Sequence, residues 1–271
     1  MLRTDHYVQI AGVRIDNVTM DEAIAGIEQM IQRRAPRFVV TPNVDHIVKL
    51  QHDARFRAAY DAASMVLCDG MPLLWAAKLL HTPLKEKVSG SDLFPRFCAV
   101  AARKGYRLFF FGGRPGAAER CAQVLAGKHN GLDVCGTYCP PLGFETDKQE
   151  NAKAIRAIRE SRADVLFVGL GAPKQELWLR QSCQVCAVPV SIGIGASFDF
   201  VAGYVRRAPR LFQRWGMEWF WRLCQEPRRM YRRYLVDDPE FLALVWSQWL
   251  RTRAQGAGRL PVAGPASSHV I

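Results

Sequence analysis

The chain has 271 residues, a formal net charge of +12 and a sequence pI near 9.6. Because 49% of its residues are hydrophobic, it can bury a large core and is not an intrinsically disordered chain. The basic excess indicates an anionic partner, such as nucleic acid, a phosphorylated substrate or an acidic membrane surface. The N-terminus lacks the apolar core of a secretory signal, and no apolar run approaches the roughly 20 residues that span a bilayer. We therefore expect a cytoplasmic protein.

Strand-like and helix-like segments alternate along the chain. Residues 8–15 predict a small hairpin or an edge strand. Residues 19–22 fit a capping box that begins the first helix. The alternation predicts an α/β fold, Rossmann-like, with a mostly parallel sheet flanked by helices over residues 1–196. The expected strands of that sheet are residues 38–40, 65–67, 107–111, 134–138, 164–170 and 188–194.

The composition changes after Gly195. Residues 203–235 carry nine arginines interleaved with aromatic residues, opposed only by Glu218 and Glu226. Such a segment has three interpretations: a nucleic-acid surface, an interfacial membrane element, or a flap whose arginines bind a diphosphate. Trp215, Trp219 and Leu223 recur every four residues and predict one apolar helix face, which disfavours nucleic acid. We expect a membrane-associating appendage over residues 197–250 and a disordered tail over 251–271.

The cysteines and acidic residues give little support for a metal. The eight cysteines lie mostly in apolar segments, which is typical of reduced cytosolic thiols. Two pairs, Cys135 with Cys139 and Cys183 with Cys186, have spacings that a zinc site could use. However, residues 183–186 read as a helix leading into a strand rather than a metal knuckle. No Asp-x-Asp motif is present, so we expect neither a metal nor another cofactor.

Polar residues follow the first two strands of the predicted sheet. Thr41 and Asn43 follow residues 38–40, and Asp69 follows residues 65–67. Ligands of parallel α/β sheets bind beyond the carboxyl ends of the strands, so these side chains are candidates for an active site. Asp69 fits a general base, whose pKa burial can raise. The Asp69-Gly70 pair is equally well explained as an ordinary turn.

Two glycine-containing turns are candidates for binding a nucleotide. Gly112, Gly113 and Gly116 lie between a strand and a helix and could hold a phosphate on backbone N–H groups, or could be purely structural. Their spacing is not the dinucleotide fingerprint, and no acidic ribose partner follows. In the second turn, Gly171 precedes Lys174 and Gln175, which fall in the first turn of a helix. A cation there is unfavourable unless an anion is nearby, which favours a ligand.

The motif series resembles the WecG/TagA/CpsF family, glycosyltransferase family 26. The matching motifs occur in family order over residues 8–235: Thr41-Pro42-Asn43, Asp69-Gly70, Val88-x-Gly90-Ser91-Asp92, Gly112-Gly113-x-Pro115-Gly116, Gly169-x-Gly171-x-Pro173-Lys174-Gln175-Glu176, Gly195-x-x-Phe198-Asp199, Arg207-Ala208-Pro209, Glu218-Trp219-x-x-Arg222 and Glu226-Pro227-x-Arg229. The resemblance implies an inverting transferase that moves a sugar from a UDP-sugar to a polyprenyl-diphosphate-linked sugar in surface-polysaccharide biosynthesis. It would act on the inner face of the cell membrane.

The resemblance also implies roles for particular residues. Asp69 would be the general base, Thr41 and Asn43 would shape the sugar and acceptor pocket, and Gln175 would contact the donor. Lys87 stands where the family often has arginine, so bidentate phosphate geometry is lost although the charge is kept. Candidates to bind the diphosphate are Arg207, Arg214, Arg222 and Arg229. The sugar transferred and the oligomeric state stay open, and the alternative function is a non-catalytic nucleotide- or nucleic-acid-binding module.

Overall fold

The computed structural model describes residues 6–209, 211–212, 215–232, 235 and 237–257. Its centre is a six-stranded, all-parallel sheet, which confirms the predicted α/β class. The predicted hairpin is also present as a separate antiparallel pair. The hairpin strands are β1 (Tyr7–Ile10) and β2 (Val13–Asp16), and the sheet strands are β3 (Arg37–Val40), β4 (Met65–Val66), β5 (Arg107–Gly112), β6 (Asp133–Tyr138), β7 (Val165–Gly169) and β8 (Val190–Gly193).

The parallel strands lie in the order β4-β3-β8-β7-β5-β6. The helices that connect them are α1 (Met20–Arg33), α2 (Val44–His52), α3 (Ala54–Ala62), α4 (Met71–Leu79), α5 (Gly90–Lys104), α6 (Ala117–Lys128), α7 (Lys148–Ser161) and α8 (Lys174–Cys186). The helices of the C-terminal region are α9 (Ser197–Ala202), α10 (Glu218–Gln225), α11 (Pro227–Arg232) and α12 (Glu240–Ala257).

The helices cover both faces of the sheet, as a parallel sheet requires. One face packs against α1, α5, α6 and α9. The other packs against α2, α3, α4, α7, α8, the hairpin and α12. Alternate residues of each strand supply the two layers: Phe110 and Phe167 point to the first face, and Phe109 and Leu166 to the second. The strands inside the sheet therefore read as nearly continuous apolar runs, whereas the edge strand β6 is partly exposed and more polar.

Side-chain caps fix where several helices begin. The predicted capping box of α1 is present: Thr19 accepts from the Glu22 N–H, and the Glu22 carboxylate accepts from the Thr19 N–H at 2.8 Å. Asn43 and Ser89 cap α2 and α5 with their side chains alone, which accept from the His46 N–H and the Asp92 N–H. Such caps contribute about 1 kcal/mol each. The caps of α2 and α5 also fix where the preceding loops end, at the carboxyl edge of the sheet.

The C-terminal region is joined to the core at several points. Phe198 of α9 is fully buried, with its ring 5.4 Å from the Phe94 ring and 5.3 Å from the Phe110 ring. In α12, Phe241 and Val245 are buried, and Gln248 bonds the hairpin through the Ala11 N–H and the Gln9 carbonyl. The core contacts therefore extend beyond residue 196.

The last helix is longer than expected. The sequence predicts a disordered tail from residue 251, whereas residues 251–257 continue α12 as far as Ala257. Thr252, Arg253 and Ala254 tolerate a helix, and the glycine- and proline-rich composition begins only after them. Residues 258–271 lie outside the described part of the chain. Within the described part, no helix is both long enough and apolar enough to cross a membrane.

Candidate active site

The carboxyl ends of β3, β4 and β8 form one side of a polar rim. The Asp69 N–H donates to the Pro42 carbonyl at 2.9 Å, which ties the loop after β4 to the loop after β3. The buried Thr41 hydroxyl donates to the Gly193 carbonyl of β8 at 3.3 Å. A Cβ on Gly90 would lie 3.1 Å from Ile194 Cα, so α5 begins in close contact with this edge. The structure thus brings Thr41, Asn43 and Asp69 to the same end of the sheet.

Asn43 has a structural task at this rim. Its side-chain oxygen accepts from the His46 N–H at 3.2 Å, which starts α2. Among the next residues, Asp45 pairs with Lys49 at 2.9 Å, and His46 lies 2.6 Å from the Tyr60 hydroxyl of α3. The side chains of Asp45 and His46 are therefore engaged by neighbouring helical residues. Asp69 is then the carboxylate that we consider as the candidate base at this rim.

Asp69 is half-buried, and its pKa is raised to about 7. Burial is the largest cause, because it disfavours the charged carboxylate. The positive charges of Lys87 and Arg222 act in the opposite direction, whereas Glu218 and Asp92 raise the pKa further. A carboxyl group with a pKa near neutrality can accept a proton and is still about half ionised near neutral pH.

A ring of four alternating charges lies beside Asp69. Lys87 Nζ is 3.4 Å from Asp92 Oδ2 and 3.3 Å from Glu218 Oε2. Arg207 is 2.6 Å from Asp92 Oδ1 through a terminal nitrogen, and its Nε is 3.8 Å from Glu218 Oε1. Lys87 and Asp92 belong to the core, and Arg207 and Glu218 to the C-terminal region. The ring therefore holds the C-terminal region against the carboxyl edge of the sheet.

The charged states of this ring are mutually reinforced. Burial lowers the pKa of Lys87, but the carboxylates of Glu218, Asp92 and Asp69 outweigh it, and the net pKa is raised. Burial raises the pKa of Asp92, yet the Ser89 hydrogen bond and the charges of Lys87 and Arg207 lower it overall. Lys87 thus stays a cation and Asp92 an anion around neutral pH. Sequence reasoning missed Asp92 and Glu218 as site residues, although both belong to the matched motifs.

A second contact joins the C-terminal region to the rim beyond β5. Arg114 lies 3.3 Å from Asp199 Oδ2 and 3.3 Å from Glu226 Oε1. Asp199 is nearly buried at the end of the sheet, and Glu226 ends α10. Glu218 at the first turn of α10 and Glu226 at its end therefore attach this helix to both halves of the rim. Sequence reasoning did not identify Arg114 or Asp199 as site residues, although Asp199 belongs to a matched motif.

Backbone conformation and close packing explain the glycines at the end of β5 and in the turn that follows. Gly112, Gly113 and Gly116 all have positive φ, of 95°, 85° and 79°. A Cβ on Gly112 would lie 2.8 Å from the Gly169 carbonyl oxygen of the neighbouring strand. The Gly113 N–H already donates to that carbonyl at 2.8 Å, so it is engaged within the sheet. Gly116 precedes α6 without a side-chain cap.

Lys174 and Gln175 point in different directions. Lys174 is exposed, and its ammonium lies 2.6 Å from Glu145 Oε1. This carboxylate is an anion of the chain itself beside the helix start, whereas the sequence favours a bound ligand in that role. Gln175 is buried: its oxygen accepts from the Gly195 N–H at 3.0 Å, and its nitrogen donates to Glu176 at 3.0 Å. The oxygen of this side chain thus supports the loop after β8, and its nitrogen is bonded within α8. Gly171, with φ of 75°, precedes the pair.

Of the four arginines proposed to bind the diphosphate, the structure describes the side chains of two. Arg207 belongs to the charge ring. Arg222 lies with its guanidinium carbon 5.5 Å from the centre of the Phe200 ring, and its charge lowers the pKa of Asp69. Arg214 and the side chain of Arg229 lie outside the described residues. The structure therefore brings Lys87, Arg207 and Arg222 to the neighbourhood of Asp69.

Cysteines and acidic residues form no metal centre in the described part of the chain. No group of three or more His, Cys, Asp or Glu side chains is arranged there to hold a metal ion. The eight cysteines are free thiols. Cys183 and Cys186 are buried in α8, as the helical interpretation of this segment predicted, and burial raises the pKa of Cys186 to about 12.

Comparison with known proteins gives a consistent result. The profile of the glycosyl transferase WecG/TagA/CpsF family matches residues 8–255. A curated relative from Bacillus spizizenii is N-acetylglucosaminyldiphosphoundecaprenol N-acetyl-beta-D-mannosaminyltransferase. It is 31% identical over 208 residues, which are 77% of this chain and 78% of the relative. The matched region includes the sheet, the rim and nearly all of the C-terminal region.

Proposed function

The chain belongs to the WecG/TagA/CpsF family of glycosyl transferases, and we propose that it moves a sugar from a UDP-sugar to a polyprenyl-diphosphate-linked sugar with inversion. Its family confirms the expected enzyme class, so a non-catalytic binding module is not supported. The relative's name describes transfer of N-acetylmannosamine to N-acetylglucosaminyldiphosphoundecaprenol. A lipid-linked acceptor of this type in surface-polysaccharide biosynthesis is consistent with the basic C-terminal region.

Asp69 is the general base of the proposed reaction. Inversion needs a single displacement, in which an acceptor hydroxyl attacks the anomeric carbon while the bond to UDP breaks. Asp69 would take the hydroxyl proton, and its pKa of about 7 suits that role at neutral pH. This half-buried carboxyl at the carboxyl edge of β4 is the observation that carries the proposal.

Lys87 and Arg207 are the cations we assign to a diphosphate. Both lie in the charge ring beside Asp69, where Asp92 and Glu218 are their present partners. A substrate diphosphate would compete with the Glu218 carboxylate for them, since phosphate oxygens are strong acceptors for charge-assisted hydrogen bonds. Arg222 adds a third positive charge near Asp69. Together they would stabilise the negative charge of the leaving UDP without requiring a metal.

Thr41 and Asn43 would shape the sugar pocket from the loop after β3, next to the base. Gln175 would act on the donor through the loop it holds, because its polar atoms bond Gly195 and Glu176. The turns that contain Gly112, Gly113, Gly116, Gly171 and Lys174 are further candidates for nucleotide contacts along the same edge.

Membrane association forms the second part of the proposal. The C-terminal region exposes large aromatic side chains, among them Trp215, Phe220 and Tyr231. Tryptophan and tyrosine favour the interface between water and lipid, and arginines favour anionic headgroups. Attachment to the inner face of the cell membrane would bring the rim to an acceptor that is held in the bilayer.

The test of the base is Asp69→Asn. We expect the variant to fold and to lose about 10²- to 10⁴-fold in the rate of sugar transfer, measured with a UDP-sugar and a polyprenyl-diphosphate-linked acceptor. Asp147→Asn is the matched control, because asparagine keeps the cap of α7, and β6, which precedes this helix, lies at the opposite edge of the sheet from β4 and Asp69. Near-normal turnover in a folded Asp69→Asn variant would remove Asp69 as the base.

A further inference from the structure

An aromatic and basic groove lies between the ends of α4 and α12. It has a volume of about 430 Å³ and is lined by Trp75, Lys78, Leu79, His81, Trp249 and Arg253. Trp75 is 52% exposed and Leu79 is 44% exposed. The Arg253 guanidinium carbon lies 4.1 Å from the centre of the Trp249 ring. None of the lining residues is acidic, so the groove favours an anionic partner with an apolar part.

The apolar surface continues along α12. Leu242 is 70% exposed and Trp246 is 54% exposed, whereas Phe241 and Val245, about 100° around the helix from them, are buried. The Trp246 and Trp249 rings stack with centres 4.9 Å apart, which connects this stripe to the groove. Contiguous exposed apolar surface of this kind marks a binding face in a folded protein.

The same groove contacts the C-terminal region through Trp75. A Cβ on Gly216 would lie 2.8 Å from the Trp75 ring, so the backbone at Gly216 packs directly against this tryptophan. The adjacent Trp215 is 63% exposed. The groove is thus continuous with the aromatic surface that we place on the membrane.

We propose that the groove and the stripe of Leu242 and Trp246, together the α4–α12 face, form a second docking surface for an anionic lipid bilayer. The inference rests on the proposed membrane association, assigns the exposed side of α12 to it and extends it to α4 of the core. Tryptophans at headgroup depth and basic residues against anionic lipid match the chemistry of this face. A single lipid chain could fill the groove, but it would leave the stripe exposed and give the basic residues no partner.

This surface is mechanically linked to the proposed base. Helix α4 begins two residues after Asp69 and ends at Leu79 in the groove. At 1.5 Å per residue, the two ends of α4 are about 12 Å apart. Docking of the α4–α12 face would therefore fix the distance between the bilayer and Asp69, so that a membrane-held acceptor reaches the base at one defined depth.

The test compares two double charge reversals. Lys78→Glu with Arg253→Glu changes the groove, and Arg120→Glu with Lys128→Glu makes the same change in net charge on exposed residues of α6, on the opposite face of the sheet. Binding of the full chain is measured by sedimentation with vesicles of phosphatidylglycerol and phosphatidylcholine, and with phosphatidylcholine alone. Since each basic residue near an anionic surface contributes about 1 kcal/mol, we expect the groove variant to bind mixed vesicles at least roughly tenfold more weakly. The α6 variant should stay closer to the wild type.

Equal vesicle affinity of the two variants would overturn the inference. It would also be overturned if the groove variant bound vesicles normally but its KM rose with the length of the acceptor's prenyl chain, because the occupant would then be one lipid. Vesicle binding is measured without sugar transfer. If the groove variant binds vesicles as well as the α6 variant and sugar transfer is normal, only the inference about the α4–α12 face fails. If the wild-type enzyme binds vesicles but transfers no sugar, only the proposed function fails.

Discussion

At the scale of single residues, the protonation of Asp69 depends on a carboxylate far away in the sequence. Glu218 raises the pKa of Asp69 and also pairs with Lys87, whose charge lowers that pKa. Removal of the Glu218 charge should lower the pKa of Asp69 for two reasons. It deletes a nearby negative charge, and it leaves Lys87 with fewer competing carboxylates. The ionised form of Asp69 becomes easier to reach.

This predicts a shift in the pH profile of the Glu218→Gln variant. In the wild type, kcat/KM should rise with pH through about 7, because Asp69 must lose its proton before it can act as a base. In Glu218→Gln the same rise should occur at lower pH, measured as initial rates of sugar transfer between pH 5 and 9. Glu226→Gln is the control, since Glu226 pairs with Arg114 at the other half of the rim. A profile that is unchanged in Glu218→Gln would contradict this coupling.

At the scale of elements, α8 and β8 meet through Gln175 and Gly193. A Cβ on Gly193 would lie 2.3 Å from Gln175 Nε2, and Gln175 is held at both ends by Gly195 and Glu176. The absence of a side chain at Gly193 therefore lets the start of α8 approach the end of β8. This close approach positions the loop that follows β8 at the rim.

We predict that Gly193→Ala destabilises the protein by about 1–3 kcal/mol, because the added methyl group forces Gln175 out of its hydrogen bonds. Gly127→Ala is the contrasting substitution: Gly127 lies in α6, and no atom lies within 4 Å of the added Cβ. There the change should stabilise the helix by about 0.5–1 kcal/mol. Urea unfolding of both variants measures the difference, and a stability loss of equal size in both would refute the explanation.

The elements themselves were predictable where the determinants are local. The capping box at Thr19, the apolar strand runs and the helical reading of Cys183–Cys186 rest on neighbouring residues, and all three are confirmed. Gln175 shows the limit of this reasoning. Its position in the first turn of α8 was predictable, but its burial against Gly193 depends on strand order.

At the scale of the whole molecule, the site combines parts that are distant along the chain. Lys87 and Glu218 are 131 residues apart, and their contact exists because α10 crosses the carboxyl edge of the sheet. No local pattern encodes that crossing, so sequence analysis found the basic residues of the C-terminal region but not the acidic ones that attach it. In the proposed site, the C-terminal region therefore forms part of the pocket wall.

Because the C-terminal region packs against the core, the structure predicts how truncation changes the stability of the chain. A chain that ends at Ala196 lacks Phe198, which fills a fully buried position between Phe94 and Phe110. A chain that ends at Pro209 keeps Phe198 and still lacks α10–α12. Removal of a buried phenylalanine costs about 3–5 kcal/mol, so the shorter chain should unfold at a clearly lower urea concentration than the longer one.

Phe198→Ala in the full-length protein separates this packing effect from the loss of α9 itself. We expect it to lower the free energy of unfolding by a similar amount and to leave vesicle sedimentation unchanged, because Phe198 is buried away from the proposed membrane surfaces. Equal stability of the two truncated chains would show that α9 is dispensable for the core. Release from anionic vesicles after truncation at Ala196 would then be attributable to the lost C-terminal surface rather than to unfolding.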